Sequence, residues 1–239
     1  MRLLVVNSNT TAAVTERIAG EARRAATPGT DVIAVTAPFG LPLIVTASDW
    51  QVAGTATLAA LGAARGTYDA AIIACFGDPG LEAAKERAGV PVLGISEAAF
   101  HAAAMLGRRF GVVTFTRALE PMFVDCLARH GLASRCAGFR SGPGFNGDPG
   151  TVAEDRAAMV LDLIDEAVRL DGADVVIVAG GPLAGLARRL APQVPVPLID
   201  GVAAAVALAE ALVRIAPTAP RREARPSTGL DPGLAALFQ

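Results

Sequence analysis

The sequence predicts an α/β protein of two related lobes, each a mainly parallel sheet flanked by helices, with a ligand site in the cleft between them. Three observations carry this reading. Short, uniformly apolar runs alternate with Ala-rich amphipathic stretches, as in parallel sheets covered on both faces. A long segment of the first half is echoed in the second. Polar or small-residue turns follow the strands, where ligands of open α/β sheets bind.

Taken in order, strands are expected at Leu3–Val6, Val32–Val35, Ala70–Ala74, Val92–Leu93, Gly111–Thr114, Cys136–Phe139, Val175–Val178 and Leu198–Ile199. Helices are expected at Thr11–Ala26, Val52–Ala64, Gly80–Ala88, Glu97–Leu106, Leu119–His130 and Thr151–Leu170. The repeat sets YDAAIIACFGDPGLEAAKERAGVPVLGISEAA against ADVVIVAGGPLAGLARRLAPQVPVPLIDGVAA. Both run Asp, strand, small-residue turn, short helix, Val-Pro, strand, turn and helix. RLLVVNSNT is echoed more weakly by RFGVVTFTR. The period is roughly a hundred residues, too long for a solenoid, and two lobes follow from it; the alternative is that all βα units look alike. Residues 1–97 with 200–214 form lobe one, 98–199 lobe two and 215–239 a tail, disordered or docked through Leu237 and Phe238.

At 239 residues, 52% hydrophobic and 18% charged, the chain has ample material for buried cores. A net charge of −2 gives no pull toward nucleic acid or anionic lipid. Three irregularly spaced cysteines argue against a disulfide framework. The first residues turn polar by Asn7, too early for a signal peptide, and Val202–Ala216 is interrupted by Glu210 and Arg214. The expectation is a cytoplasmic protein with a small-molecule substrate and no nucleic-acid or membrane partner. His101 and His130 are far apart, no Cys/His pair is read at ligand spacing, and no glycine-rich nucleotide loop is present, so no metal and no nucleotide are expected.

Three turns offer chemistry. Asn7-Ser8-Asn9-Thr10-Thr11 follows the first strand and opens a helix; its side chains are either caps or ligands for carboxylate or imide oxygens. Thr114-Phe115-Thr116 occupies the corresponding point of the second half, with the same two readings. Cys75 joins a strand to Phe76-Gly77-Asp78-Pro79. A helix start aimed at its sulfur would lower the thiol pKa, and Asp78 would oppose that while capping. A buried cysteine is otherwise an inert small hydrophobe, the reading given to Cys126 and Cys136.

LLVVNSNTT, IIACFGDPGL, GISEAA, RFGVVT, HGLASRC and PLIDGVAAA together resemble the aspartate/glutamate/hydantoin racemase superfamily, nearest its hydantoin and allantoin racemases, over about residues 1–213. The resemblance implies a homo-oligomeric, cofactor-free isomerase whose site lies between two pseudo-symmetric lobes. In that family one cysteine from each lobe faces the substrate α-carbon, one removing a proton and the other delivering one. The first falls on Cys75. Where the second is expected, roughly strand-Gly-Cys-Ala-Gly-Met-Ala, this sequence reads VIVAGGPLAGL, which puts Gly180 or Gly181 in its place. Pro182 beside them lacks an N–H for an oxyanion.

A single thiol returns a proton to the face it came from. Loss of a positioned acid–base group removes about 10²–10⁴ in rate, and a water or Glu97 would have to substitute. The main reading is Cys75 acid–base chemistry at the α-carbon of a hydantoin-like or carboxylate substrate. The alternatives are a single-cysteine malonate decarboxylase, giving the opposite hand to the superfamily's own arylmalonate decarboxylases; a Cys75 nucleophile acting on an imide or alkene, with the Phe76 and Gly77 N–H groups as oxyanion site; and an inactive ligand-binding relic. Asn7, Asn9, Thr10, Thr11, Phe76, Gly77 and Asp78 are expected around the substrate from one lobe, Thr114, Thr116, Gly180 and Gly181 from the other. Small rings suit this set, because no arginine is placed at a strand end to clamp a dicarboxylate, Arg117 being the nearest exception.

Overall fold

The computed structural model describes residues 1–219 and 223–239. Eight strands, all paired in parallel, form two four-stranded sheets. In the first, β1 (Arg2–Asn7) lies between β2 (Asp31–Thr36) and β3 (Ala70–Ile73), with β4 (Val92–Gly94) outside β3. In the second, β5 (Phe110–Thr114) lies between β6 (Cys136–Ser141) and β7 (Val175–Val178), with β8 (Leu198–Asp200) outside β7. The inner strands β1, β3, β5 and β7 are apolar on both faces because helices cover both.

The two sheets repeat each other bond for bond. In the first, Asp69 N–H donates to Arg2 O and Arg2 N–H to Asp69 Oδ2; in the second, Asp174 and Arg109 exchange the same bonds. At the far end, Ala74 N–H donates to Val6 O and Ala179 N–H to Val113 O, each at 2.8 Å. Ala37 N–H reaches Asn7 O as Gly142 N–H reaches Thr114 O. This register makes Asn7 the counterpart of Thr114, and Cys75 the counterpart of Gly180.

Two helices cross between the halves. α4 (Ile95–Leu106) follows β4 but packs on β7, and α9 (Gly201–Ile215) follows β8 but packs on β3. A continuous core of buried residues therefore spans both sheets. The remaining helices are α1 (Ala12–Ala25), α2 (Ala47–Ala63), α3 (Leu81–Ala88), α5 (Glu120–Arg129), α6 (Val152–Asp155), α7 (Ala157–Arg169), α8 (Leu186–Leu190) and α10 (Pro232–Leu237).

Some boundaries differ from the sequence reading. α2 starts at Ala47, five residues early, because Thr46 and Asp49 form a capping box. The helix expected over 151–170 breaks at Arg156, whose ψ of 5° interrupts the helical path between α6 and α7. Of the two fates expected for the tail, docking is the one observed. Leu237 is buried, Arg87 lies 4.7 Å over the Phe238 ring, and α10 sits on α2. The approach is so close that a Cβ on Gly62 would stand 1.9 Å from Gly233 O. Residues 220–222 of that expected tail lie outside the described residues.

Candidate active site

The end of β3 is a clamped turn. After Ala74 the chain reaches Cys75, whose carbonyl accepts from Asp78 N–H at 3.0 Å. Asp78 has φ 50°, the left-handed region that Asp tolerates better than most side chains. Its buried carboxylate accepts from Ser96 N–H (3.0 Å) and Glu97 N–H (2.8 Å), capping α4 rather than the helix that follows it. Gly77 N–H donates to Ser96 Oγ at 2.6 Å, and Gly77 O accepts from Trp50 Nε1 (2.9 Å) and Arg129 Nη2 (3.1 Å). The Gly77 N–H is therefore spent on Ser96, which corrects its expected place in an oxyanion site.

The end of β7 closes through a corresponding hydrogen bond, with Gly180 where Cys75 stands. Gly180 O accepts from Leu183 N–H at 2.9 Å, as Cys75 O accepts from Asp78. Asp200 plays the capping part on α9, accepting from Val202 and Ala203 N–H (2.9 and 3.2 Å), and it also binds Gly185 N–H at 2.6 Å. Burial outweighs those three donors, and with Glu21 nearby the Asp200 carboxyl is pushed up to about 6.

Between the turns lies a slot of about 20 Å³, room for about one water. Cys75, Phe76, Phe115, Gly180 and Gly181 line it, together with Asn9 and with Leu43 and Ile44 of the β2–α2 loop. Among the described residues, Cys75 is the only titratable side chain in the lining, and Asn9 the only other polar one. Burial pushes the Cys75 thiol well up from its ordinary value, and the charge of Asp78 adds to the shift. This corrects the expectation that a helix start lowers it: both causes at work raise it. A larger groove of about 920 Å³ runs along β4, α4 and α9, but contains no thiol and none of the strand-end residues; chemistry, not size, picks out the slot.

The other expected residues are distributed as follows. Asn7 is buried, its amide donating to Asn9 Oδ1, Thr11 O and Thr15 Oγ1 and accepting from Asn9 N–H, so it braces the loop. Asn9 Oδ1 is taken by Asn7 and Thr11, while its Nδ2 has no partner among the described residues. Thr10 is exposed; its N–H (3.0 Å to Leu41 O) and Thr11 Oγ1 (2.8 Å to Pro42 O) staple the loop that carries Leu43 and Ile44. Thr114 Oγ1 donates to Ala179 O at 2.9 Å. Thr116, the register counterpart of Asn9, is buried with its Oγ1 unpartnered. Glu97 is paired with Lys85 and does not line the slot. Asp78 instead meets Cys126 and His130, which lie four residues apart on one face of α5; this spacing corrects the reading that no Cys/His pair is placed for a common ligand.

Fold and site together define an α/β protein of two register-equivalent sheets with one thiol at a strand end, in an apolar slot. The Asp/Glu/Hydantoin racemase family model matches residues 3–209. The hydantoin racemase of Pseudomonas sp. (strain NS671) is 35% identical over 219 residues, 89% of this chain and 86% of that protein. Allantoin racemase from Klebsiella pneumoniae superimposes with TM-score 0.89 at 34% identity, covering 98% of both chains. That from Pseudomonas fluorescens gives TM-score 0.89 at 34% identity, over 96% of this chain and 100% of the other. The chain belongs to the Asp/Glu/hydantoin racemase family, which supports a racemase-type isomerase activity. Among the described residues no helix is long and apolar enough to cross a membrane.

Proposed function

We propose that this chain transfers a proton at the α-carbon of a small hydantoin-like ring or carboxylate with one thiol, that of Cys75, and no acid–base side chain on the opposite face. One observation carries the reading: among the described residues Cys75 is the only titratable group lining the slot, and its register counterpart is Gly180. The thiolate, the minor form of Cys75 given its raised pKa, takes the α-proton, and the electron pair spreads into the adjacent carbonyl. That oxygen is received by Asn9 Nδ2, which has no other partner among the described residues. The same sulfur then returns a proton to the same face. Phe76 and Phe115 keep the reacting carbon away from bulk water. Substrate entry displaces Leu43 and Ile44, since the closed slot is too small for a five-membered ring.

The test is incubation of an optically pure hydantoin in D₂O, followed by mass spectrometry. The wild-type protein should add one deuterium faster than the uncatalysed reaction, and Cys75→Ala should not. Equal exchange by the variant would remove Cys75 from the mechanism.

A second reading rests on the same slot, whose lining offers one thiol and, at its register counterpart, Gly180, and so one proton donor. Decarboxylation of a prochiral malonate needs a donor and no base. The C–C bond breaks with loss of CO₂, the electron pair stays on the substrate as an enediolate, the Cys75 S–H protonates it, and water restores the thiol. Stoichiometric CO₂ with one enantiomer of the monoacid would support this reading; absence of CO₂ across a malonate panel would dismiss it.

A further inference from the structure

We propose that Asp78, Cys126 and His130 form a binding site for one zinc-type divalent cation, outside the Cys75 slot and opening into a separate pocket. The residues come from distant parts of the chain. Cys126 and His130 stand one turn apart at the end of α5, on the same face. Asp78 reaches them from the β3–α3 turn. All three are largely buried, and their donor atoms lie within 4.8 Å of one another.

Cys126 Sγ is within hydrogen-bond reach of Asp78, and the two distances to Asp78 also match the edges of a coordination polyhedron. His130 Nε2 is 3.4 Å and Cys126 Sγ 3.8 Å from Asp78 Oδ2. An N–H···O bond has its usual length near 2.9–3.0 Å, so the histidine contact is long for one. A tetrahedral zinc ion, with Zn–N and Zn–O near 2.0–2.2 Å and Zn–S near 2.3 Å, has N···O edges of about 3.4 Å and S···O edges of about 3.6 Å. The same Asp78 oxygen already accepts from Glu97 N–H, and its partner oxygen from Ser96 N–H, so the carboxylate is held in place by backbone donors, as ligating carboxylates commonly are.

Charge and access also suit a dication. Carboxylate and thiolate together neutralise it, with His130 as a neutral ligand. Cys126 exchanges its S–H bond for an S–metal bond, and the proton leaves to solvent. Arg129 is a nearby cation; its guanidinium is engaged by Gly77 O and the Trp50 ring at 5.2 Å and also interacts with the Cys126 thiol, favouring its thiolate form. Asp78 and His130 border a pocket of about 300 Å³ walled by Trp50, Leu58 and Glu82, which supplies an entry path and room for a water as fourth ligand. Bound there, the cation ties the turn carrying Cys75 to α5.

The experiment titrates reduced, chelator-treated full-length protein with Zn²⁺ and, for its spectrum, with Co²⁺. The expected result is uptake of one ion per chain and a thiolate-to-cobalt charge-transfer band. Cys75→Ala should retain both. Cys126→Ser should lose the band, and Cys126→Ser and His130→Gln should each weaken binding by at least about tenfold. Circular dichroism establishes that the variants are folded, and if Cys126→Ser is not, His130→Gln decides alone. No stoichiometric uptake by the wild type, binding unchanged in the folded variants, or binding abolished by Cys75→Ala would overturn the proposal.

Discussion

The turns after β3 and β7 are made from the same hydrogen bonds and do different work. Each follows an alanine bonded to the central strand, each closes through a carbonyl three residues back, and each is followed by a glycine and a short helix. The first holds a thiol and spends its buried Asp78 on α4. The second has Gly180 at φ 124°, a backbone that side chains rarely adopt, whereas Cys75 has no positive φ. The two turns therefore differ in backbone as well as in side chain: Gly180 holds a conformation that glycine alone adopts easily, and a cysteine there would be strained.

Four outcomes would break or sharpen that contrast. The largest concerns the thiol. Cys75→Ala should cut turnover by about 10²–10⁴ while leaving the unfolding midpoint nearly unchanged, measured by steady-state kinetics and denaturant titration. Next comes pH. Asp200 titrates near 6 in the folded protein against an ordinary 3.8, so between those values the native state keeps a proton that the unfolded chain has released. Its contribution to stability should fall by about 3 kcal/mol as pH rises from 4 to above 6, and Asp200→Asn should flatten that part of the urea-denaturation profile.

Third, Gly180→Ala should cost about 1–3 kcal/mol through its backbone alone. Alanine at the two register-equivalent positions should thus destroy activity at one and stability at the other. The smallest effect belongs to Asn9→Ala, which removes one proposed donor to substrate and should lower kcat/KM about tenfold, the equivalent of about one hydrogen bond.

Much of this architecture was legible in the sequence, for physical reasons that can be named. Strands buried on both faces read as unbroken apolar runs, and all eight are found where those runs stand. The repeat was visible because equal turns need equal residues: Asp before the strand, small residues after it, Val-Pro before the next. The start of α2 was read five residues late, at Val52, because the capping box of Thr46 and Asp49 that sets it was overlooked. The inner wiring was not legible. Asp78 caps a helix that begins 17 residues later, and Ser96 takes the Gly77 N–H across the same gap. Asn7 looks like a ligand in sequence and is consumed by Asn9, Thr11 and Thr15 in space. The thiol pKa failed for a related reason: the neighbouring helix start is local and visible, whereas the desolvation that raises the pKa comes from packing across both halves.

The most direct test of a lone thiol is to follow exchange and inversion together, by mass spectrometry and chiral chromatography, on one optically pure hydantoin in D₂O. One-face chemistry predicts that deuterium enters the α-carbon while configuration is kept, with enzyme-dependent inversion far slower than exchange. Deuterium uptake and loss of optical purity rising at matched rates would mean that a second proton donor works from the glycine side, contrary to this account.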